Sequence, residues 1–156
     1  MPRYTKSYRK SNWSHENKGC ACAITNSVNG LAQGGSNIVP ASTTQGTRTV
    51  GHFTITIPVP TDAGSIFWAL VYVPQGEQVK SLFATTQAIE GSLYEPNQYV
   101  IASGISDANE GPIRIRSAMK RKLQSGDFIS LIVGSTNVEY VGQYLNALVS
   151  YAIKYN

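Results

Sequence analysis

At 156 residues the chain is long enough for one domain with a real core, and an apolar share of 42% excludes wholesale disorder. Charged residues make up only 14%, against roughly 25% in an average soluble protein, which predicts that other subunits cover much of the outside. The formal net charge is +4: residues 1–19 hold five basic groups (Arg3, Lys6, Arg9, Lys10, Lys18) against one acid, Glu16, and residues 20–156 hold eight of each. That asymmetry predicts a polyanionic partner met by the N-terminal segment. No apolar run is long enough for a membrane helix, and the basic N-terminus lacks the apolar core of a secretory signal, so membrane insertion is not expected. Two cysteines, Cys20 and Cys22, are too few and too close for a disulfide framework and suggest a reducing compartment.

Residues 1–19 have no aliphatic side chain after Met1 and no period of either kind, so they read as a flexible basic arm, with the folded domain over 20–156. Residues 21–28 are a plausible first strand. Over 49–57, Phe53, Ile55 and Ile57 alternate with His52, Thr54 and Thr56 until Pro58 and Pro60 end the ladder. Residues 66–73, IFWALVYV, are apolar on both faces. An antiparallel strand buries one face as a rule, so the second needs cover from a loop of the chain or from a neighbouring molecule. The reading adopted puts Phe67, Ala69, Val71 and Val73 in the core and Ile66, Trp68, Leu70 and Tyr72 at a subunit interface.

A helical turn is conceivable at 80–88. Residues 98–105 and 113–119 are further strands, the latter with Ile113 and Ile115 inward and Arg114 and Arg116 outward. FISLIV at 128–133 is again two-faced, 137–141 is a weak strand, and 145–155 places Leu145, Ala147, Val149, Tyr151, Ile153 and Tyr155 on one side. Many short strands and no amphipathic helix predict an all-β sandwich or barrel.

Catalytic signatures are lacking: there is no phosphate-binding glycine loop, no zinc-protease motif and no nucleophile elbow. His15 lies in the arm and His52 on a strand face, with no nucleophile spaced to meet either. Cys20-Ala21-Cys22 has the wrong spacing for a structural zinc site and no second ligand pair. The expectation is a protein that is not an enzyme and holds no metal or cofactor.

The chemistry that is present is cationic. Arg3, Lys6, Arg9, Lys10 and Lys18 can neutralise phosphates, and Tyr4, Tyr8 and Trp13, interleaved with them, offer ring faces to unpaired bases. A solubilising tail or an import signal is the alternative. Arg114, Arg116 and Lys120 form a second basic group, followed by Arg121 and Lys122; phosphate contact and an exposed charged turn fit it equally.

The ordered series Leu70-Val71-Tyr72-Val73-Pro74, Gly91-Ser92-Leu93-Tyr94-Glu95-Pro96-Asn97-Gln98, Val100-Ile101-Ala102-Ser103-Gly104-Ile105, Pro112-Ile113-Arg114-Ile115-Arg116-Ser117, Lys122-Leu123-Gln124-Ser125-Gly126-Asp127 and Val149-Ser150-Tyr151-Ala152-Ile153 resembles capsid proteins of circovirus-like viruses, whose circular single-stranded DNA encodes a replication initiator. The resemblance spans residues 66–156. It implies a single jelly roll of two four-stranded antiparallel sheets, about sixty copies closing a T=1 icosahedral shell, and a single-stranded DNA genome inside. It also implies an inward-pointing arm that doubles as a nuclear-import signal, localisation in the virion and the host nucleus, and contact with an import receptor and a cell-surface glycan. The arm is shorter than is usual in that family and mixes Lys with Arg. The alternative is a non-viral single-stranded nucleic-acid-binding β-barrel with a basic tail. A sugar-binding sandwich with Asn97 and Gln98 at its site has only fold analogy behind it.

Overall fold

Alternation at β-strand period, with one apolar and one polar face, recurs along the chain and organises the computed structural model, which describes residues 13–28, 31–43, 45–60, 62–77 and 99–155. The strands are β1 (Ser14–Val28), β2 (Leu31–Val39), β3 (Arg48–Ile57), β4 (Ser65–Val73), β5 (Tyr99–Asp107), β6 (Ile113–Ser117), β7 (Arg121–Leu123), β8 (Phe128–Ser135) and β9 (Tyr144–Tyr155). Single 3-10 turns cover Ala108–Glu110 and Val138–Tyr140.

All strand pairings among the described residues are antiparallel, in the order β5-β4-β8-β2-β1-β9-β3-β6, with β7 pairing the Arg48–Val50 end of β3, beyond the stretch that β6 pairs. The path has two halves, β1-β9-β3-β6 and β2-β8-β4-β5, joined where β1 pairs with β2. Successive strands mostly alternate between the halves, so the chain wraps around its own core. This is a jelly roll. The ladder differs from the expected pair of separate four-stranded sheets in being continuous through the β1–β2 hairpin. It is also not the five-stranded barrel of an oligonucleotide-binding fold.

The core lies between the halves. Phe53, Ile55 and Ile57 from β3, Ile113 and Ile115 from β6, and Leu145, Ala147, Val149, Tyr151 and Ile153 from β9 meet Ile66 and Leu70 from β4 and Ile129, Leu131 and Val133 from β8. Each such branched aliphatic or aromatic side chain contributes roughly 1.5–3 kcal/mol by leaving water. The alternation read over 49–57, 113–119 and 145–155 therefore matches the structure, except that Tyr155, past the edge of the core, is exposed.

Four expectations are corrected. The interface assigned to Ile66, Trp68, Leu70 and Tyr72 is a core face: Ile66 and Leu70 are wholly buried, and Trp68 and Tyr72 pack half-buried against the same cluster. The opposite face holds Ala69, Val71 and Val73, which with Ile132 form a second buried cluster flanked by Val100 and Phe128. Both faces of β4 are thus covered within one molecule, and its two-sidedness does not itself call for a neighbour. Second, the boundary of the arm moves: Ser14–Gly19 are strand, paired with Ile153 through Leu148 of β9. Their hydrophilic side chains need no core, because the ladder hydrogen bonds to β9 hold the backbone. Third, 31–39 and 121–123, where the pattern predicts no strand, form β2 and β7, whose apolar alternation is too weak to mark them. Fourth, Val138–Tyr140 is a 3-10 turn, because the Asn137 side chain accepts a hydrogen bond from the Glu139 amide at 3.1 Å and offers the backbone a local alternative to a ladder. Residues 1–12, the helical turn conceived at 80–88, and Asn97 and Gln98 lie outside the described residues.

The two thiols behave as small apolar groups. Cys22 is wholly buried in the core, and burial, with a lesser contribution from Cys20, pushes it up to about 12. Burial also raises Tyr140 and Tyr151 above the usual phenol range. On unfolding these groups return to ordinary values. As pH rises past about 9 the unfolded chain then loses protons that the folded chain keeps, and stability falls, by at most on the order of 4 kcal/mol from Cys22 as pH approaches 12. Urea midpoints are expected to be level from pH 7 to 8.5 and to drop steadily above pH 9. Cys22→Ala should flatten the first part of that drop; an equally steep fall in the variant would remove Cys22 as its cause.

Candidate nucleic-acid interface

The β1-β9-β3-β6 half turns its second face outward. Directly opposed residues of an antiparallel pair share a face, so the register lays out two rows across four strands. One is Asn17–Ser150–Thr54–Arg116 and the other is Gly19–Leu148–Thr56–Arg114. Arg114 and Arg116 are exposed at the β6 edge, while Ile113 and Ile115 between them anchor the strand in the core. The floor is a shallow depression lined by Asn17, Gly19, Thr54, Thr56, Leu148 and Ser150. Leu148, 66% exposed, stands in it opposite Gly19, where a side chain would meet nothing within 4 Å.

At one end of this face the chain enters β1. Between Gly51 and Thr54 the β3–β9 register slips, with His52 and Phe53 of β3 opposing Tyr151 alone of β9, and His52 takes a positive φ of 53°. Such a bulge bends the strand and re-aims a side chain. The His52 ring meets Trp13 edge-on, with centroids 6.3 Å apart and planes at 78°. Residues 118–120 bridge β6 and β7 across the bulge. An added methyl at Gly51 would lie 2.9 Å from Lys120 Cγ and 3.0 Å from the Met119 carbonyl oxygen. The Lys120 ammonium sits 5.3 Å from the centroid of the Trp13 ring, within cation–π range. Lys120, Arg116 and Arg114 therefore follow one another along one edge, and Trp13, where residues 1–12 are tethered, lies at the head of that line.

Of the residues singled out from sequence, Trp13, Arg114, Arg116 and Lys120 are brought to this one surface. Lys18 is not: its β9 partner is the inward Val149, so it lies on the other side of β1 from Asn17 and Gly19, and its ammonium is 5.9 Å from the Tyr151 ring centroid. Charge alone says nothing of which side of a strand a residue takes. Arg3, Tyr4, Lys6, Tyr8, Arg9 and Lys10 lie outside the described residues. Arg121 is taken up internally, its guanidinium 4.4 Å from the centroid of the Tyr72 ring. The cluster of Trp13, His52 and Lys120 was not foreseen; its one local signal is Gly51 in the middle of a strand pattern, which often marks a bulge or a close approach.

The corrected start of β1 also sharpens the charge partition. Residues 1–12 hold four basic groups and no acid, and residues 13–156 hold nine of each. All net charge thus precedes Trp13.

No family model and no curated protein sequence matches the chain. Solved structures similar to it include Desmodium yellow mottle tymovirus, at 11% identity and a TM-score of 0.41, covering 100% of this chain and 88% of that one. Tomato aspermy virus is similar at 11% identity and a TM-score of 0.43, covering 96% of this chain and 81% of that one. The empty head of turnip yellow mosaic virus is similar at 10% identity and a TM-score of 0.41, covering 100% and 88%.

Proposed function

We propose that the chain is the subunit of a self-assembling viral capsid, a T=1 icosahedral shell that packages circular single-stranded DNA, and that its role is structural rather than enzymatic. The observation that carries this reading is the charge partition on a jelly roll: a body with no net charge, suited to packing against copies of itself, and four cations on the twelve residues that begin at the Trp13 end of the Arg114–Arg116–Lys120 edge. The motif series over 66–156 supports the shell, its copy number and the DNA cargo by resemblance. Exposed Ile105, Tyr144 and Tyr155 leave apolar surface for neighbours. Within the same reading the basic arm also serves as the nuclear-import signal, so that assembly takes place in the host nucleus and the product is the virion.

Deleting residues 1–12 tests it. The truncated chain is expected to form particles of uniform size that hold much less nuclease-protected nucleic acid. The logarithmic salt dependence of oligonucleotide binding should shrink by about 0.7 per lost phosphate contact on single strands, so by up to about 3 for four cations. An undiminished cargo would move packaging away from the arm, and a full-length chain that stays monomeric at high concentration in moderate salt would overturn the shell.

A further inference from the structure

Resting on the reading that the cargo is nucleic acid, we propose that Trp13 is the seat of an unpaired base, and that one extended strand runs from it along the β6 edge with its phosphates on Lys120, Arg116 and Arg114. Trp13 is half-buried and braced edge-on by His52, so the indole is held in place. A fixed aromatic ring is a sequence-tolerant platform, since every base has a face to stack. Among the described residues the ammonium over that ring belongs to Lys120, whose side chain packs over Gly51. A nucleotide satisfies the pair at once, its base on the indole and its phosphate on the ammonium.

The spacing of the remaining cations selects the form of the strand. Arg114 and Arg116 are two residues apart on one face of β6, a repeat of about 6.6–6.8 Å. That is close to the axial repeat of phosphates in a stretched single strand, and about double the 3.4 Å per-strand repeat of a stacked duplex. The floor beside the edge offers the side chains of Thr54, Thr56, Asn17 and Ser150 to base edges, and Gly19 leaves the depression open. The His52 bulge is what makes the site: it turns the imidazole toward Trp13 at the point where residues 118–120 cross the strand.

The chain has two tryptophans, so Trp68→Phe in the full-length protein leaves Trp13 as the only one. Titration with oligothymidylate is expected to quench its emission saturably, while a duplex of the same length and inorganic polyphosphate bind without comparable quenching. Trp13→Ala in the otherwise native chain should weaken oligothymidylate binding roughly 5- to 150-fold, the equivalent of stacking one base. Lys120→Gln should lower the salt slope by about 0.7. If Trp68→Phe does not fold, loss of the quench in Trp13→Phe relative to the native chain reads the same site. Oligothymidylate that binds as tightly to Trp13→Ala, or quenching matched by polyphosphate, overturns the base seat and leaves the nucleic-acid reading standing. If neither single strand nor duplex binds the full chain, that underlying reading fails as well.

Discussion

Asp127→Ala is expected to lower stability by about 3–5 kcal/mol, read as a fall in the urea midpoint at unchanged slope. Asp127 is only 4% exposed, and its carboxylate is saturated by donors from two segments. The Tyr72 hydroxyl donates to Oδ2 at 2.6 Å, the Gln124 amide donates to Oδ2 at 2.9 Å, and the Gln75 amide donates to Oδ1 at 2.9 Å. Buried Arg48 closes the corner, donating to the carbonyl oxygens of Asp127 and Pro40. The Asp127 turn is thereby tied to β3, to the end of β4 and, through the Gly126 amide and the Ser125 hydroxyl, to the Ser42 carbonyl. Alanine would strand three donors, each costing about 1–3 kcal/mol when left unpaired out of water. A domain of this kind has about 5–15 kcal/mol in total, so the loss would be a large fraction. Asp127→Asn keeps one acceptor oxygen, enough for Tyr72 and Gln124, but sets its NH2 against the Gln75 amide donor, so it should cost less than alanine and still lower the midpoint. Tyr72→Phe should cost about 1.5–3 kcal/mol, as one hydrogen bond to a charged acceptor does. Equal midpoints for Asp127→Ala and the native chain would mean that these donors reach water.

How much of this could be read from the sequence depended on whether one face of a strand was polar. In β3 and β6 it is, so the inward Phe53, Ile55, Ile57, Ile113 and Ile115 and the outward Arg114 and Arg116 were legible from alternation. In β4 both faces are apolar and periodicity cannot say which is inside. The larger side chains, Trp68 and Tyr72, turned out to line the main core, and the smaller Ala69 and Val71 the second cluster. Tyr72 shows why composition misleads here: its hydroxyl needed a partner, and Asp127 supplies it from 55 residues away. The 124–127 turn was readable as a turn, but nothing local marks Asp127 as buried. Ser14–Gly19 looked like arm because a ladder held by backbone hydrogen bonds alone leaves no side-chain pattern. The Trp13–His52–Lys120 junction joins three distant segments through a single bulge, so neither spacing nor charge could assemble it.

Gly34→Ala is expected to be at least as damaging as the loss of Asp127, because it acts where the two halves are joined. β2 reads LAQGGSNIV, a poor strand by composition, yet it is the strand through which β8 and β1 connect. Its two central glycines explain how. A methyl at Gly34 would lie 1.8 Å from the Ala23 carbonyl oxygen of β1, and one at Gly35 would lie 2.6 Å from the Leu131 carbonyl oxygen of β8. β2 is thus wedged between two backbones, and only hydrogen fits on either side. Neither obstacle is a side chain that could swing away, so the strands themselves must part. Overpacking a core usually costs about 1–3 kcal/mol with side chains free to adjust; with backbone as the obstacle the cost should exceed about 3 kcal/mol. Opening the β1–β2 ladder there also frees the ladder hydrogen bonds from Ala23↔Gly35 to Val28↔Leu31, the strand pairing that joins the two halves among the described residues. Backbone amide exchange should therefore quicken first in β1 and β2 of the variant, while β3, β6 and β9 stay protected until global unfolding. Gly19→Ala is the control: its methyl would project into open space, and it should leave the midpoint within about 0.5 kcal/mol of the native value. If Gly34→Ala proved as harmless as Gly19→Ala, β2 would not lie wedged against β1 in the way that joins the two halves of the jelly roll.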